Sequence, residues 1–441
     1  MKKRNINYNY IAVFCTVIFV LTFAIVGYYI GDWNSKKTVT TMAQVEDKNE
    51  LGKGISKESK KTPNSTTTTK SIGEQRDAKE SNSQYDSNES TATYQDDQNN
   101  TVSFLAVGDD LVHIEVYKSG IKKNKVLNYD HLFSKLKNDI SKADISVINQ
   151  ETIFGDRSVG YSGYPNFCSP IEIGEAIKKA GFDVVLQATN HTLDKGTKAI
   201  DYTLSFWRKQ KCITLLGVNQ DQNERNTIRI VEKKGIKFAL LNYTFSLNGH
   251  ILPSNQSYRI DMLDEDQMKA DITKAKKLAD VVIVFPHWGT EYSYHPDEKQ
   301  KYYTKFFAKE GVDVVIGSHP HVLQPVEWVN GPKNHKMLVY YSLGNYVSYQ
   351  REAPRMLGGM ANMEFIKKND KVEIKNASIT PIVTHYEKAN NYNFSVYKLS
   401  DYTENLAKVH GVLRLEKESY FSLGEMKKLA KNILGEWYKE K

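Results

Sequence analysis

From Thr101 onward the chain alternates short, β-branched apolar runs with longer stretches in which apolar residues recur every three or four positions. Continuous apolar runs suit strands buried on both faces, and the longer recurrence suits helices that cover them. The pattern predicts strands at Val102 to Val107, Ile145 to Ile148, Val184 to Gln187, Ile213 to Leu216, Phe238 to Tyr243, Val281 to Phe285, Val314 to Ile316 and Met337 to Tyr341. A helix opens at Asp264 with Gln267 three residues on, and Met268, Ile272, Ala275 and Ala279 form its buried face. Another starts at Gly196 and turns Ile200, Leu204 and Trp207 inward. A third, Asp297 to Glu310, buries Tyr303, Phe306 and Phe307 and stops at Gly311, a suitable residue to end a helix. Past Gly344 strict alternation takes over at Met360 to Ile366 and Val372 to Ile379, which suits an antiparallel edge. A last helix opens at Ser422 and Glu425 and carries Met426, Leu429, Ile433 and Trp437 on one face, a packing element for residues 411–441. Strands alternating with helices imply an α/β fold with a largely parallel, helix-covered sheet.

Ahead of Thr101 neither period is present. Lys2, Lys3 and Arg4 lie in residues 1–10, and Ile11 to Ile30 is an uncharged apolar run about long enough to cross a bilayer as a helix. No small-x-small cleavage site follows, so residues 11–30 read as a retained anchor with the N-terminus inside, the alternative being a cleaved signal peptide. Residues 31–100 hold hardly an aliphatic side chain and cannot bury enough surface to offset chain entropy; they read as a tether. The expectation is a single-pass protein of the cell membrane whose C-terminal part lies outside.

Composition adds little to this. Among 441 residues there are three cysteines, Cys15, Cys168 and Cys212, too few for a disulfide framework, with a Cys168 to Cys212 bridge left open. The net charge of +8 favours anionic partners weakly, and no basic arm suggests nucleic acid.

The chemistry gathers at the strand ends. The first strand runs into Gly108-Asp109-Asp110 with His113 beyond, the second into Asn149-Gln150-Glu151, and the third into Ala188-Thr189-Asn190-His191. The sixth ends in His287-Trp288-Gly289-Thr290-Glu291-Tyr292, and the seventh in Ser318-His319-Pro320-His321. Pro320 disfavours a helical His319 and is expected to hold it extended, with both imidazoles to one side. In open α/β sheets the functional crevice lies beyond the carboxyl ends of the strands, so these groups converge on one rim. Singly, Asp109 and Asn190 could cap turns and His287 could be a satisfied core histidine. Together they read as ligands of hard oxygen and imidazole nitrogen without thiolate, which suits Mn, Fe or Zn.

Six ligands exceed the need of one tetrahedral ion and fit two divalent ions. Glu151 is the natural bridge, with Asp109 and His321 on one ion and Asn190, His287 and His319 on the other. His191 is placed to donate a proton to a leaving group, or else to orient a neighbour.

The words GDD, NQE, ATNH, HWG and GSHPH resemble the calcineurin-like metallophosphoesterase pattern in its capsule-synthesis variant, the CapA/PgsA family associated with poly-γ-glutamate capsules. Ser162 to Tyr164, Leu193 to Gly196, His319 to Gln324 and Ser342 to Asn345 support the likeness, which covers roughly residues 101–410. The resemblance implies a metallophosphatase-like αββα sandwich outside the membrane, with Asp109, Glu151, Asn190, His191, His287, His319 and His321 in the family's ligand and catalytic places. The first motif lacks the Asp-x-His form of ordinary phosphoesterases. His113 stands as its replacement or as a substrate contact, Asn345 as a substrate contact or a turn cap, and Glu291 as support behind the ligands.

Three functions follow. The chain could be a membrane-anchored subunit in synthesis, export or attachment of an anionic envelope polymer such as poly-γ-glutamate, working with other synthase subunits. It could be an extracytoplasmic phosphoesterase acting on an envelope phosphodiester. It could also be a scaffold that keeps the fold without turnover.

Overall fold

The structure is a computed structural model and describes residues 100–440 apart from 370, 389–391 and 416–420. The expected tail, membrane span and nearly all of the tether lie outside the described residues. Among the described residues, no helix is long and apolar enough to cross a membrane.

Fourteen strands form two mixed sheets among the described residues. The first contains β1 (Thr101–Asp110), β2 (Ile145–Gln150), β3 (Val184–Leu186) and β4 (Thr214–Leu216) as a parallel half. The second contains β5 (Arg229–Lys233), β6 (Ile236–Thr244), β7 (Val281–His287), β8 (Val314–Ile316), β9 (Val326–Asn330) and β10 (Lys336–Tyr340), in the order β5-β6-β7-β8-β10-β9. The chain then returns to the first sheet. There β11 (Asn345–Val347) lies parallel to the end of β1, while β12 (Leu357–Lys368), β13 (Lys371–Lys388) and β14 (Tyr392–Lys398) add an antiparallel half.

The expected strands are all present, but their arrangement is less parallel than the pattern suggested. The alternating segments after Gly344 form the expected antiparallel edge as β12 and β13, with β14 outside them. β12 pairs with β1 along Thr101 to Val107 and makes β1 an interior strand. β5 and β9, whose outer residues are charged or exposed, run antiparallel at the two margins of the second sheet.

Alternation within strands fixes the layers. Phe238 and Leu240 of β6, Ile283 of β7, Val314 and Ile316 of β8 and Leu338 of β10 share one core with Phe104, Met363 and Phe365 of the first sheet. Phe238 meets Phe365 edge to face at 4.9 Å, a contact worth about 0.5–1.5 kcal/mol beyond its buried area. The intervening residues Ala239, Leu241, Val282, Val284 and Val315 point the other way, against Met268, Ile272, Ala275 and Phe307. Those four come from α1 (Glu265–Leu278) and α2 (Glu298–Glu310). Asp264 caps α1 by accepting the Gln267 N–H, and Asp297 and Gln300 cap α2 reciprocally before Gly311 ends it in the left-handed region. On the other side, Leu132, Phe133, Ile173, Ile177 and Trp207 cover the first sheet. The result is the two-sheet sandwich with helical outer layers.

The last helix, Leu423–Leu434, is capped by Ser422 but ends before Trp437, which falls in a 3-10 turn; Met426, Ala430 and Leu434 are its buried residues. Cys168 is buried and Cys212 exposed, and both are free thiols.

Candidate metal centre

Because β1, β2 and β3 are parallel, and β6, β7 and β8 likewise, their carboxyl ends open on one rim. Gly108 lets that rim close. A Cβ there would lie 1.9 Å from the Gly344 carbonyl, and the Asp109 N–H donates to that carbonyl at 3.0 Å. Asp109 thereby aligns with Asn345 of β11 on one side and Asn149 of β2 on the other.

Glu151 follows β2 and is fully buried, yet neither carboxylate oxygen has a hydrogen-bond partner. Its Oε1 stands 3.6 Å from His287 Nε2 and 3.7 Å from His321 Nε2, too far for hydrogen bonds. His319 Nδ1 is buried without a partner as well. Donor atoms of Glu151, His319 and His321 lie within 4.8 Å of one another. A buried carboxylate without hydrogen bonds costs several kcal/mol, so this arrangement calls for a cation among these atoms. The residues fit a divalent ion by donor type, burial and spacing.

The candidate ligand side chains expected from the sequence are held from behind. His287 Nδ1 lies 2.9 Å from Ser318 Oγ, which turns Nε2 towards Asn190 Oδ1 at 2.9 Å. Asn190 Nδ2 donates to Asn248 Oδ1 at 3.2 Å, so the amide oxygen faces inward. His321 Nδ1 lies 3.1 Å from Asp109 Oδ2 and 3.0 Å from Asn345 Oδ1, leaving Nε2 for Glu151 and a cation. Asn345 Nδ2 in turn donates to Gln350 Oε1 at 2.9 Å and to the carbonyls of His321 and Arg355, so it positions His321 with both ends of its amide occupied.

Asp109 is surrounded by donors. Asn149 Nδ2 reaches Oδ1 at 2.8 Å, and the His319 N–H faces both oxygens at 3.3 and 3.4 Å. Burial alone would raise this carboxyl, but the His321 hydrogen bond and the charges of His321 and His287 outweigh it and hold it below the ordinary value. Burial likewise works against charging His321, but Glu151 and Asp109 lift its imidazole to about 9. His319 goes the other way: burial and the neighbouring histidines push it well below its usual value, leaving a neutral ring. Asp110, also fully buried and unpartnered, is pushed up to about 8 by burial and the charge of Glu151.

The backbone of the histidine pair differs from expectation. His319 has φ 96° and His321 φ 59°, so neither is extended; both occupy the left-handed region that side chains rarely adopt. In this conformation the N–H of His319 and the ring of His321 both face Asp109. The two rings still share one side, with centroids 5.7 Å apart.

His191 stands outside the ligand cluster. Its Nδ1 lies 2.7 Å from Asp194 Oδ2, and its ring meets Phe167 edge-on at 4.6 Å. Asp194 Oδ2 also accepts the Phe167 N–H at 2.6 Å and is thereby fixed. His113, at the start of the helix Ile114–Ser119, packs edge-on against Phe167 at 5.2 Å and accepts the Tyr349 N–H at Nδ1, 3.2 Å away. Burial pushes His113 down to about 3, and it contributes no atom to the cluster. Glu291 is exposed, and its charge reaches His321. Asn149, Asp194 and Ser318 were named from sequence only as members of motifs, without an orienting role, and Asn248 was not named. Asn248 had a legible signal, because β6 also ends on this rim and delivers the segment Ser246 to His250.

Residues 103–350 match the family described as bacterial capsule synthesis protein PGA_cap. The PGA biosynthesis protein CapA of Bacillus subtilis (strain 168) is 30% identical over 174 residues, which is 39% of this chain and 44% of that protein. The capsule biosynthesis protein CapA of Bacillus anthracis is 32% identical over 181 residues, 40% of this chain and 42% of that one. The chain thus spans less than half the length of either relative. Among solved structures, the calcineurin-like phosphoesterase YfkN from Bacillus subtilis is similar at TM-score 0.39 and 14% identity, covering 74% of this chain and 99% of that one. The NAD nucleotidase of Haemophilus influenzae is similar at TM-score 0.41 and 10% identity, covering 76% and 59%. The family match runs from within β1 through β11 and takes in every residue of the buried cluster; the chain belongs to the bacterial capsule synthesis protein family PGA_cap.

Proposed function

We propose that the chain supports synthesis, export or attachment of poly-γ-glutamate or another anionic envelope polymer, through a site that holds two divalent cations and acts on a phosphoester. The observation that carries this reading is Glu151, fully buried with both oxygens unpartnered and Oε1 facing His287 and His321. Glu151 would lie between the ions, with Asp109 and His321 on one and Asn190, His287 and His319 on the other. When bound, the ions supply Lewis acidity towards a phosphoryl group and its nucleophile. The chain's own part is orientation and proton supply. Asp109 and Asn345 hold His321, Ser318 and Asn190 hold His287, and Asp194 holds His191 so that Nε2 can give a proton to the departing oxygen of the ester.

The charge of +8 would tolerate an anionic polymer, and residues 11–30 would keep the domain at the outer face of the cell membrane, beside other subunits of a polymer synthase. A second reading, a phosphoesterase acting on an envelope phosphodiester without any capsule role, is favoured by the His191 and Asp194 pair, which a scaffold would not need. Two measurements separate these. Deleting the gene and staining for surface γ-glutamyl polymer tests the first, and turnover of a chromogenic phosphodiester by metal-loaded protein, beside Glu151→Gln, tests the second. Loss of polymer with no turnover would leave a scaffold. Unchanged polymer together with equal rates in both proteins would remove both catalytic readings.

A further inference from the structure

The segment after β11 places two arginines beside the buried cluster, each against a tyrosine. Arg355 lies with its guanidinium carbon 3.4 Å from the centre of the Tyr292 ring, and that ring is 6.1 Å from the His321 ring. Arg351 stands 6.0 Å from the Tyr349 ring, and the Tyr349 N–H donates to His113 Nδ1.

The Tyr292 to Arg355 stack is built rather than incidental. Tyr292 has φ 66°, held there by its N–H donating to the Pro320 carbonyl at 2.8 Å, inside the histidine pair itself. Its hydroxyl accepts from Gln350 Nε2 at 3.4 Å, and Gln350 Oε1 takes the Asn345 amide that also orients His321. A ring of contacts, His321 to Asn345 to Gln350 to Tyr292, thus ties the guanidinium's platform to a candidate ligand.

Arg355 is not satisfied by this packing. Its Nε is buried without a partner, and its Nη2 is paired at 2.8 Å with Glu352, whose side chain is 53% exposed. An ion pair with so exposed a carboxylate is weak, and a ligand oxygen can replace it. A guanidinium with one weakly held carboxylate is suited to a second planar anion in the same fork. Glu291 and Glu352 are the negative groups nearby and would disfavour a small anion without help from the cluster.

We propose that Arg355, supported by Tyr292, is an anion subsite that binds a charged group of the substrate next to the one held at the cluster. This rests on the reading of the cluster as the substrate site. Carboxylates of a γ-glutamyl chain and phosphates of a polyol phosphate chain offer the same chemistry to the guanidinium.

The test is fluorescence anisotropy with full-length protein at 0.15 M salt, using a labelled γ-linked pentaglutamate and a labelled five-unit glycerol phosphate chain. Arg355→Met should bind the preferred chain about tenfold more weakly, and Glu352→Gln, which removes the competing carboxylate, should bind it more tightly. The oligomer that binds wild-type protein identifies the source of the anion. Equal binding by wild type and Arg355→Met overturns the proposal, as does failure of wild type to bind either oligomer at millimolar concentration. Weakening by both variants alike assigns Arg355 a structural role and also overturns it. Phosphodiester turnover of the same wild-type protein is measured separately. Turnover with unaltered Arg355→Met binding defeats the subsite alone, whereas Arg355-dependent binding without turnover defeats the phosphoesterase reading alone.

Discussion

Asp109 and His321 meet side chain to side chain at 3.1 Å, joining the end of the first strand to the histidine pair that follows β8. The contact fixes which imidazole nitrogen faces Glu151, and Asn149 fixes Asp109 in turn. Asp109→Asn places an amide where Asn149, His319 and His321 all offer N–H groups. Divalent-metal affinity is expected to fall about 10–100-fold with the fold retained. Isothermal titration with Mn and Zn checks this, and unchanged affinity would deny Asp109 its orienting role.

Glu151 gives a prediction with opposite signs. In metal-stripped protein the unpartnered oxygens are a cost that the His321 charge 3.7 Å away offsets only in part, so Glu151→Gln is expected to be about 1–3 kcal/mol more stable than wild type. Added Mn or Zn should raise the melting temperature of wild type and leave that of the variant unmoved. Differential scanning fluorimetry with and without chelator reads both effects. A variant that melts lower than stripped wild type would show that Glu151 is held by hydrogen bonds instead.

His191 is held by Asp194 and makes no part of the ligand cluster. His191→Ala should therefore keep full metal content while turnover of a chromogenic phosphodiester falls about 10²–10⁴-fold. Loss of metal from this variant would move His191 among the ligands.

His410 lies far along the chain, in the return sheet's cover. It donates through Nε2 to the Thr384 carbonyl at 2.9 Å and accepts the Val412 N–H at Nδ1, so it is held neutral. Burial pushes it down to about 3, whereas the unfolded chain takes up its proton near 6.5. A folded value below the unfolded one means that stability is lost as pH falls from about 6.5 towards 3, at up to about 1.4 kcal/mol per pH unit. In urea titrations between pH 7 and pH 4, His410→Gln should show a slope smaller by about one proton than wild type. An unchanged slope would place the acid sensitivity elsewhere.

The parts of the fold visible in the sequence were those whose burial is uniform. Val314 to Ile316 is a strand on its own pattern, and the aromatic face of Asp297 to Glu310 with Gly311 after it announces α2. β5 and β9 were not visible, because Arg229, Glu232 and Lys233 in one and Glu327 and Asn330 in the other break the apolar run on margins where one face meets solvent. The pairing of β12 with β1 was hidden too, since alternation identifies a strand but not its neighbour. At the site, ligand types at strand ends stood out. Asn149, Asn248 and Ser318 did not, because the residues that orient ligands are the same types that shape ordinary turns.

The most direct test is metal content of full-length protein by plasma mass spectrometry, beside the double variant His319→Ala, His321→Ala. About two divalent ions per chain are expected in wild type and none held at stoichiometry in the double variant. Stoichiometric metal in the double variant would contradict the assignment of the cluster around Glu151.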